Sequence, residues 1–282
     1  MSEVDIEHLR TWIGRERTVE DIITPRLASS LDAVLDRDHA AVSGAPAPVG
    51  IHWCLAPDIV PMRGIGADGH PARGGFLPPV PFPRRMWAGG ELTFSGSFLV
   101  GDSVAKRSVI EDVALKSGRS GDMIFVTLRH HYETPRGLAL TERQDVVYRQ
   151  LAPAGLTTDP APSDEPFEHR RAIDAGPVLL FRYSAITFNG HRIHYDQPYV
   201  TGEENYPGLI FHGPLQATLL LALAEELSGG RVPAGFSFRS VHPLFAGGTP
   251  HVHARRQNDG LALWLTDTAG VVTMKGVTDA RD

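Results

Sequence analysis

Residues 208–230 read GLIFHGPLQATLLLALAEELSGG, and from Leu215 to Leu223 only Gln216 and Thr218 are not apolar. Leucine and alanine favour helix, Pro214 suits a first helical position, and Gly229-Gly230 supply a stop. The apolar residues run round the whole circumference instead of along one stripe, so this predicted helix has to be enclosed on all sides. A bilayer cannot do the enclosing, because no run approaches the roughly 18 apolar residues that a span needs. The candidate wrapping follows in sequence: AGFSFRSVHPLF, PHVHARRQND, LALWLTDT and GVVTMKGVTD are strand-like runs rich in β-branched and aromatic residues.

The same plan recurs ahead of it in altered form. In VEDIITPRLASSLDAVLDRD, Ile22, Ile23, Leu27, Leu31, Val34 and Leu35 recur at helical spacing, with Pro25 near the start of the regular part. A long loop follows, through GADGHPARGGFLPPVPFPRRMWAGG, and then the strand-like runs ELTFSGSFLV, SVAKRSVIEDVALK, DMIFVTLRHHYE and ALTERQDVVYR. Residues 151–166, LAPAGLTTDPAPSDEP, carry prolines among small and acidic residues and predict a linker. The expected domains are therefore 1–150 and 167–282, both of ordinary size. The second opens with GPVLLFRYSAI, read as a strand. One helix and several antiparallel strands in each half predict an α+β tandem repeat.

Composition narrows the function. With 42 % hydrophobic and 21 % charged residues the chain is globular, and a net charge of −6 argues against a general nucleic-acid binder. The opening MSEVDIEHLR has acids early and no apolar core, unlike a signal peptide, so a cytoplasmic protein is expected, without a membrane partner. The single cysteine, Cys54, excludes an intrachain disulfide and a thiolate metal cage, and its apolar setting, WCLAP, argues for an inert thiol. A GxGxxG between strand and helix is lacking, as is GxSxG, which weighs against a dinucleotide site and an α/β-hydrolase.

Residues 188–196, FNGHRIHYD, concentrate the chemistry. His191, His194 and Asp196 are a legitimate three-ligand zinc set, an acid–base site, or a polar loop. No second metal motif such as HExxH accompanies them, so no metal is expected. The other notable residues are His212-Gly213-Pro214 at the head of the apolar helix, and Arg84-Arg85 with Trp87, two cations beside an indole. Arginine offers a forked donor set to phosphate or carboxylate; Arg182 and Arg192 are alternatives for the same task. His251 and His253 alternate on a predicted strand, share one face and read as solvent-facing, whereas His130 and His131 point to opposite faces of theirs.

FNGHRIHYD and LIFHGPLQA resemble the hydratase motif and the buried-helix start of the MaoC-like double-hot-dog 3-hydroxyacyl-thioester dehydratases. GGFLPPVPFPRRMWAGGEL in the first half is similar to the branch that holds mesaconyl-C4-CoA and itaconyl-CoA hydratases and the fungal mitochondrial acyl-thioester dehydratase. The resemblance covers nearly the whole chain. It implies a double hot-dog, two antiparallel sheets each wrapped around a long helix. It also implies reversible hydration of an enoyl-CoA without a cofactor, with the second half catalytic and the first half completing the acyl-CoA pocket. His194 takes the place of the family's catalytic histidine. Five positions earlier the wider family has aspartate and this chain has Asn189, read as a feature of the branch.

Hydration of an α,β-unsaturated thioester needs a base for water, an acid for the α-carbon and stabilisation of the enolate oxygen. Histidine suits proton transfer near neutral pH, so His194 is the expected base. An N–H at a helix N-terminus suits the oxyanion, which points to Gly213, since Pro214 has none. Asn189 can orient water but not accept its proton. Asp196 and His191 are possible orienting groups, Asp196 sharing a face with His194 if the segment is a strand, and Glu203 and Glu204 are further carboxylates nearby. Arg84, Arg85, Trp87 and His212 are the expected substrate-binding residues. A short dicarboxylic acyl-CoA is the favoured substrate, on the resemblance alone, and a homo-oligomer is possible. A hot-dog thioesterase and a non-catalytic acyl-CoA binder are the alternatives.

Overall fold

The apolar helix spans Gly213–Leu227, and its residues from Leu215 through Ala224 are all buried. The structure, a computed structural model, describes residues 4–38, 41–118, 121–150 and 160–279. The predicted linker lies in part outside these, at residues 151–159. In chain order the helices are α1 (Ile6–Arg10), α2 (Pro25–Val34), α3 (Pro177–Ile186), α4 (Gln197–Gly202) and α5 (Gly213–Leu227). The strands of the first half are β1 (Glu16–Ile22), β2 (Arg84–Phe94), β3 (Ser103–Gly118), β4 (Gly121–Thr134) and β5 (Gly137–Arg149). Those of the second are β6 (His169–Ala172), β7 (Gly235–Ser240), β8 (His251–Gln257), β9 (Gly260–Thr266) and β10 (Val272–Asp279).

Burial of each α5 leucine contributes roughly 1.5–3 kcal/mol, which is why the strands close on the helix. The two polar residues of its buried stretch are satisfied: Gln216 Oε1 accepts from Thr273 Oγ1 at 2.8 Å, and Thr218 Oγ1 donates to the Pro214 carbonyl at 2.8 Å. The strands pair antiparallel in the order β1-β3-β4-β5-β2-β7-β10-β9-β8-β6. The sheets of the two halves thus meet edge to edge, with Gly90 of β2 opposite Phe238 of β7, and form one ten-stranded sheet. That seam brings Trp87, near the start of β2, against Gly213 at the N-terminus of α5. No helix among the described residues is long and apolar enough to cross a membrane.

Three local expectations are corrected. GPVLLFRYSAI is helix α3, not a strand: Pro177 stands in its first turn, and Leu180, Tyr183 and Ser184 are buried while Val178 and Phe181 are exposed. That three-to-four-residue period, absent in a strand, overrides the β-branched and aromatic content. Ile22 belongs to strand β1 and is exposed, so the helix expected in this stretch, α2, begins only at Pro25. His253 does not face solvent: it is buried, stacks on Trp264 at 5.2 Å between centroids, and bonds Thr266 Oγ1 at 3.1 Å.

Candidate active site

The segment 188–196 is a turn and a short 3-10 helix, not a strand, because Asn189 and Asp196 use their side chains to close local backbone turns. Phe188 takes a left-handed conformation, φ 50°, and the Asn189 N–H donates to the Ser184 carbonyl at 2.9 Å. Asn189 Oδ1 accepts the His191 N–H at 3.0 Å. Arg192–His194 form the 3-10 turn. Asp196 then caps α4 by accepting the Tyr199 N–H at 3.1 Å, and Arg192 Nε donates to its other oxygen at 2.9 Å. Asp196 therefore does not share a face with His194. Its carboxyl is held below the usual range by the Arg192 hydrogen bond and the α4 cap, which removes it as an orienting partner.

His194 points inward and is 7 % exposed. Its Nδ1 lies 2.7 Å from the Ile210 carbonyl, so Nδ1 carries the proton and Nε2 keeps its lone pair. The Ile210 N–H in turn donates to the Ile193 carbonyl at 2.9 Å, tying the motif to the strand-like approach to α5. The His194 ring stacks on His212, with centroids 3.6 Å apart. Burial pulls the His194 imidazole down to about 4, against the opposing bond to Ile210 and with help from the charge of His70. His194 is thus a neutral base at pH 7.

His212 is the residue before α5 and is fully buried; its Nε2 lies 2.8 Å from Ser184 Oγ. Burial, then the charge of His194, keeps it neutral. Gly213 opens the helix, where an N–H has no acceptor one turn back. A Cβ at Gly213 would lie 3.0 Å from Trp87 Cε3, so Trp87 forms a wall over that amide. Trp87 stacks on Phe238 at 4.6 Å and meets Trp53 edge-on at 5.6 Å.

The two arginines differ. Arg84 is buried, its Nε 3.6 Å from Glu204 Oε2, with a further donor on the Glu204 carbonyl and its guanidinium 4.3 Å from the centre of the Tyr206 ring. It is committed to structure. Arg85 is half-buried, hydrogen-bonds Tyr148, and its charge bears on Asp68, His70 and His191. Arg182 is exposed on α3, and Arg192 is held by Asp196 and by the Ala67 carbonyl at 3.1 Å. Glu203 is exposed. The Cys54 thiol is buried and pushed up by that burial to about 12, an unreactive group.

Sequence reasoning missed the loop that carries Asp68 and His70. The Arg192 N–H donates to the Asp68 carbonyl at 2.9 Å. Gly69, at φ 88°, approaches Gly190 so closely that a Cβ would sit 1.9 Å from the Gly190 oxygen. His70 Nδ1 lies 3.3 Å from Asp68 Oδ2, and its ring centre is 4.1 Å from that of His191. The only local signal was DGH flanked by glycines, which names no partner. The metal set His191–His194–Asp196 is not assembled, since Asp196 turns away. Asp68, His70 and His191 instead offer donor atoms all within 4.8 Å of one another, a chemically suitable set for a divalent ion although the Arg85 cation opposes one.

The pattern defining the hydroxyacyl-thioester dehydratase type 2 family matches residues 50–246. A mesaconyl-C4-CoA hydratase of Chloroflexus aurantiacus is 40 % identical over 272 residues, covering 95 % of this chain and 96 % of that protein. The mitochondrial hydroxyacyl-thioester dehydratase type 2 of Schizosaccharomyces pombe is 26 % identical over 70 % of this chain and 73 % of its own length. Among solved structures, a Mycobacterium tuberculosis protein with a double hot-dog fold superposes with a TM-score of 0.58 at 15 % identity, over 94 % of this chain and 95 % of that one.

Proposed function

Since the chain belongs to the hydroxyacyl-thioester dehydratase type 2 family, and is a hydro-lyase of hot-dog fold, we propose that it reversibly hydrates a short carboxylated enoyl-CoA at the site between His194 and Gly213. The observation that carries this reading is the bond from His194 Nδ1 to the Ile210 carbonyl. It leaves a neutral Nε2 as base, on a ring that stacks on His212, the residue just before the Gly213 N–H that opens α5.

In hydration, Nε2 of His194 takes a proton from water as the water oxygen bonds to C3. The π electrons shift through C2 and C1 onto the thioester oxygen, where the Gly213 N–H and the positive end of α5 stabilise the charge. Collapse of the enolate with protonation at C2 gives the 3-hydroxyacyl thioester. Asn189 keeps its supporting part by shaping the turn that aims His191 and His194.

Arg85 supports a carboxylated acyl group. It shares a strand face with Trp87, two residues on, and Trp87 lies over Gly213. A guanidinium on that face suits a carboxylate a few bonds from the thioester, and the similar Chloroflexus protein is named for mesaconyl-C4-CoA. Residues 167–282 bear the base and the oxyanion amide; residues 1–150 supply the wall that binds the acyl-CoA, through Arg85 and Trp87.

The test is incubation with mesaconyl-C4-CoA, itaconyl-CoA and crotonyl-CoA beside the His194→Ala variant, with products followed by mass. Gain of one water, lost in the variant, is the expected result. Release of free CoA without hydration would make the protein a thioesterase, and binding without turnover an acyl-CoA binder.

A further inference from the structure

Hydration moves two protons, one off water and one onto C2, and His194 serves only the first. The second group has to be titratable and has to stand against the same motif. Asn189 has no such proton, and its oxygen is taken by His191. Asp196 caps α4 and is paired with Arg192; Glu204 is paired with the buried Arg84. His212 is fully buried and its Nε2 is engaged by Ser184. Among the described residues against the motif, the remaining carboxylate–imidazole pair is Asp68 with His70.

We propose that His70, oriented by Asp68, is the second acid–base group of this site, carried into it by the first half of the chain. The proposal rests on the hydratase reading above. The pair is built rather than incidental. Asp68 holds His70 twice, through Oδ1 to the His70 N–H at 3.0 Å and through Oδ2 to Nδ1 at 3.3 Å. Its own carbonyl receives the Arg192 N–H of the motif, and the Gly69–Gly190 approach locks the loop at the one spacing that lets the His70 and His191 rings meet. Nδ1 being bound to carboxylate, Nε2 of His70 is the nitrogen left for substrate.

The step balances. His194 Nε2 accepts the water proton while the oxygen–C3 bond forms and the π pair moves onto the thioester oxygen. His70, having taken up one proton from solvent, then acts in its imidazolium form: the enolate pair returns to C2 and takes the proton from His70 Nε2, leaving the neutral ring with Nδ1 on Asp68. One proton has passed from His70 to His194, and it returns by way of solvent or of His191, whose ring stands 4.1 Å from His70 and 5.5 Å from His194. The groups facing His70 are Asp68 and Arg73 from its own segment, Arg85 from β2, and His191 and His194 from the motif. Burial lowers the His70 imidazole, and the Asp68 hydrogen bond and charge oppose that. Burial also disfavours the Asp68 carboxylate, yet His70 and then Arg85 hold it down to about 2, so Asp68 stays ionised.

The experiment compares wild type with His70→Gln, Asp68→Asn and Asp68→Glu. It reads kcat and KM for the hydrated thioester, the pH profile, and the titration of the His70 Cε1 proton by NMR in histidine-labelled protein. His70→Gln is expected to lower kcat by about 10²–10⁴-fold with KM within about threefold. Asp68→Asn should lower the His70 titration midpoint and shift the pH profile with it, and Asp68→Glu should recover part of the rate. An active wild type whose His70→Gln variant keeps its kcat, or whose His70 midpoint ignores Asp68→Asn, overturns the inference and leaves the hydratase reading standing. A wild type that hydrates none of the thioesters overturns both. Loss of activity on chelation, restored by zinc alone, would make Asp68, His70 and His191 a metal site and overturn the acid–base role.

Discussion

The imidazoles of His194 and His212 lie almost parallel, 19° apart in plane with centroids separated by 3.6 Å. Two stacked rings cannot both carry charge at that distance without strong repulsion. The stack therefore holds His194 in the form that accepts a proton, and the Ile210 carbonyl decides which nitrogen does so.

It follows that His194→Gln, which keeps the approximate volume and one amide contact, abolishes proton transfer. Turnover should fall by about 10²–10⁴-fold, with KM for the acyl-CoA little changed. Because burial holds the His194 imidazole near 4, activity should survive acidification below the ordinary histidine value of about 6.5, where an exposed histidine base would already be protonated. Steady-state rates between pH 4 and 8 check both points.

Stability should decline as pH falls below 6.5. Burial lowers His194 to about 4 and His130 to about 3, and it depresses His52, His191 and His212 as well. In the unfolded chain these rings titrate near 6.5. The unfolded state thus binds more protons as pH falls from 6.5 toward the folded values, so stability present above 6.5 is lost through that window. His194 alone accounts for something on the order of 3 kcal/mol. Urea midpoints measured at pH 7.5, 6 and 5 should fall steadily; a flat series would mean these rings are solvated.

Gly69→Ala should disconnect the first half from the motif. A Cβ there meets the Gly190 carbonyl at 1.9 Å, and the residue sits at φ 88°. Gly44, at φ 85° with open space around it, is the control for backbone strain alone, which costs about 1–3 kcal/mol. Gly69→Ala is expected to lower both Tm and kcat further than Gly44→Ala, which leaves kcat intact.

Arg84 and Arg85 are adjacent and should fail differently. Arg84→Gln leaves Glu204 buried without its partner and should cost about 3–5 kcal/mol of stability, seen as a drop in Tm. Arg85→Gln should leave Tm nearly unchanged and raise KM for mesaconyl-C4-CoA by tenfold or more, on the order of one charge-assisted pair, while sparing crotonyl-CoA. Equal losses on both substrates would assign Arg85 to the CoA portion instead.

The residues that local rules govern were legible from the chain alone. Helix α5, its start at Gly213 and its enclosure follow from the apolar run, a proline and a glycine pair, and most strand-like runs follow from alternation and turn residues; β2, however, begins at Arg84, inside the stretch read as loop, and ends at Phe94, short of the run ELTFSGSFLV, and β1 and β6 were not foreseen. His194 and Gly213, the proposed base and oxyanion donor, were named from short motifs in the same way. What tertiary structure decided was direction and partnership. Asp196 turned outward once Arg192 and the α4 N–H claimed it, and the strand expected at 177–186 became a helix because one face of it is buried at a three-to-four-residue period. Asp68 and His70 reached the site only through a backbone contact between Gly69 and Gly190, 121 residues apart. Such contacts depend on which surfaces a folded sheet brings within a few ångströms, and local propensity carries no term for that.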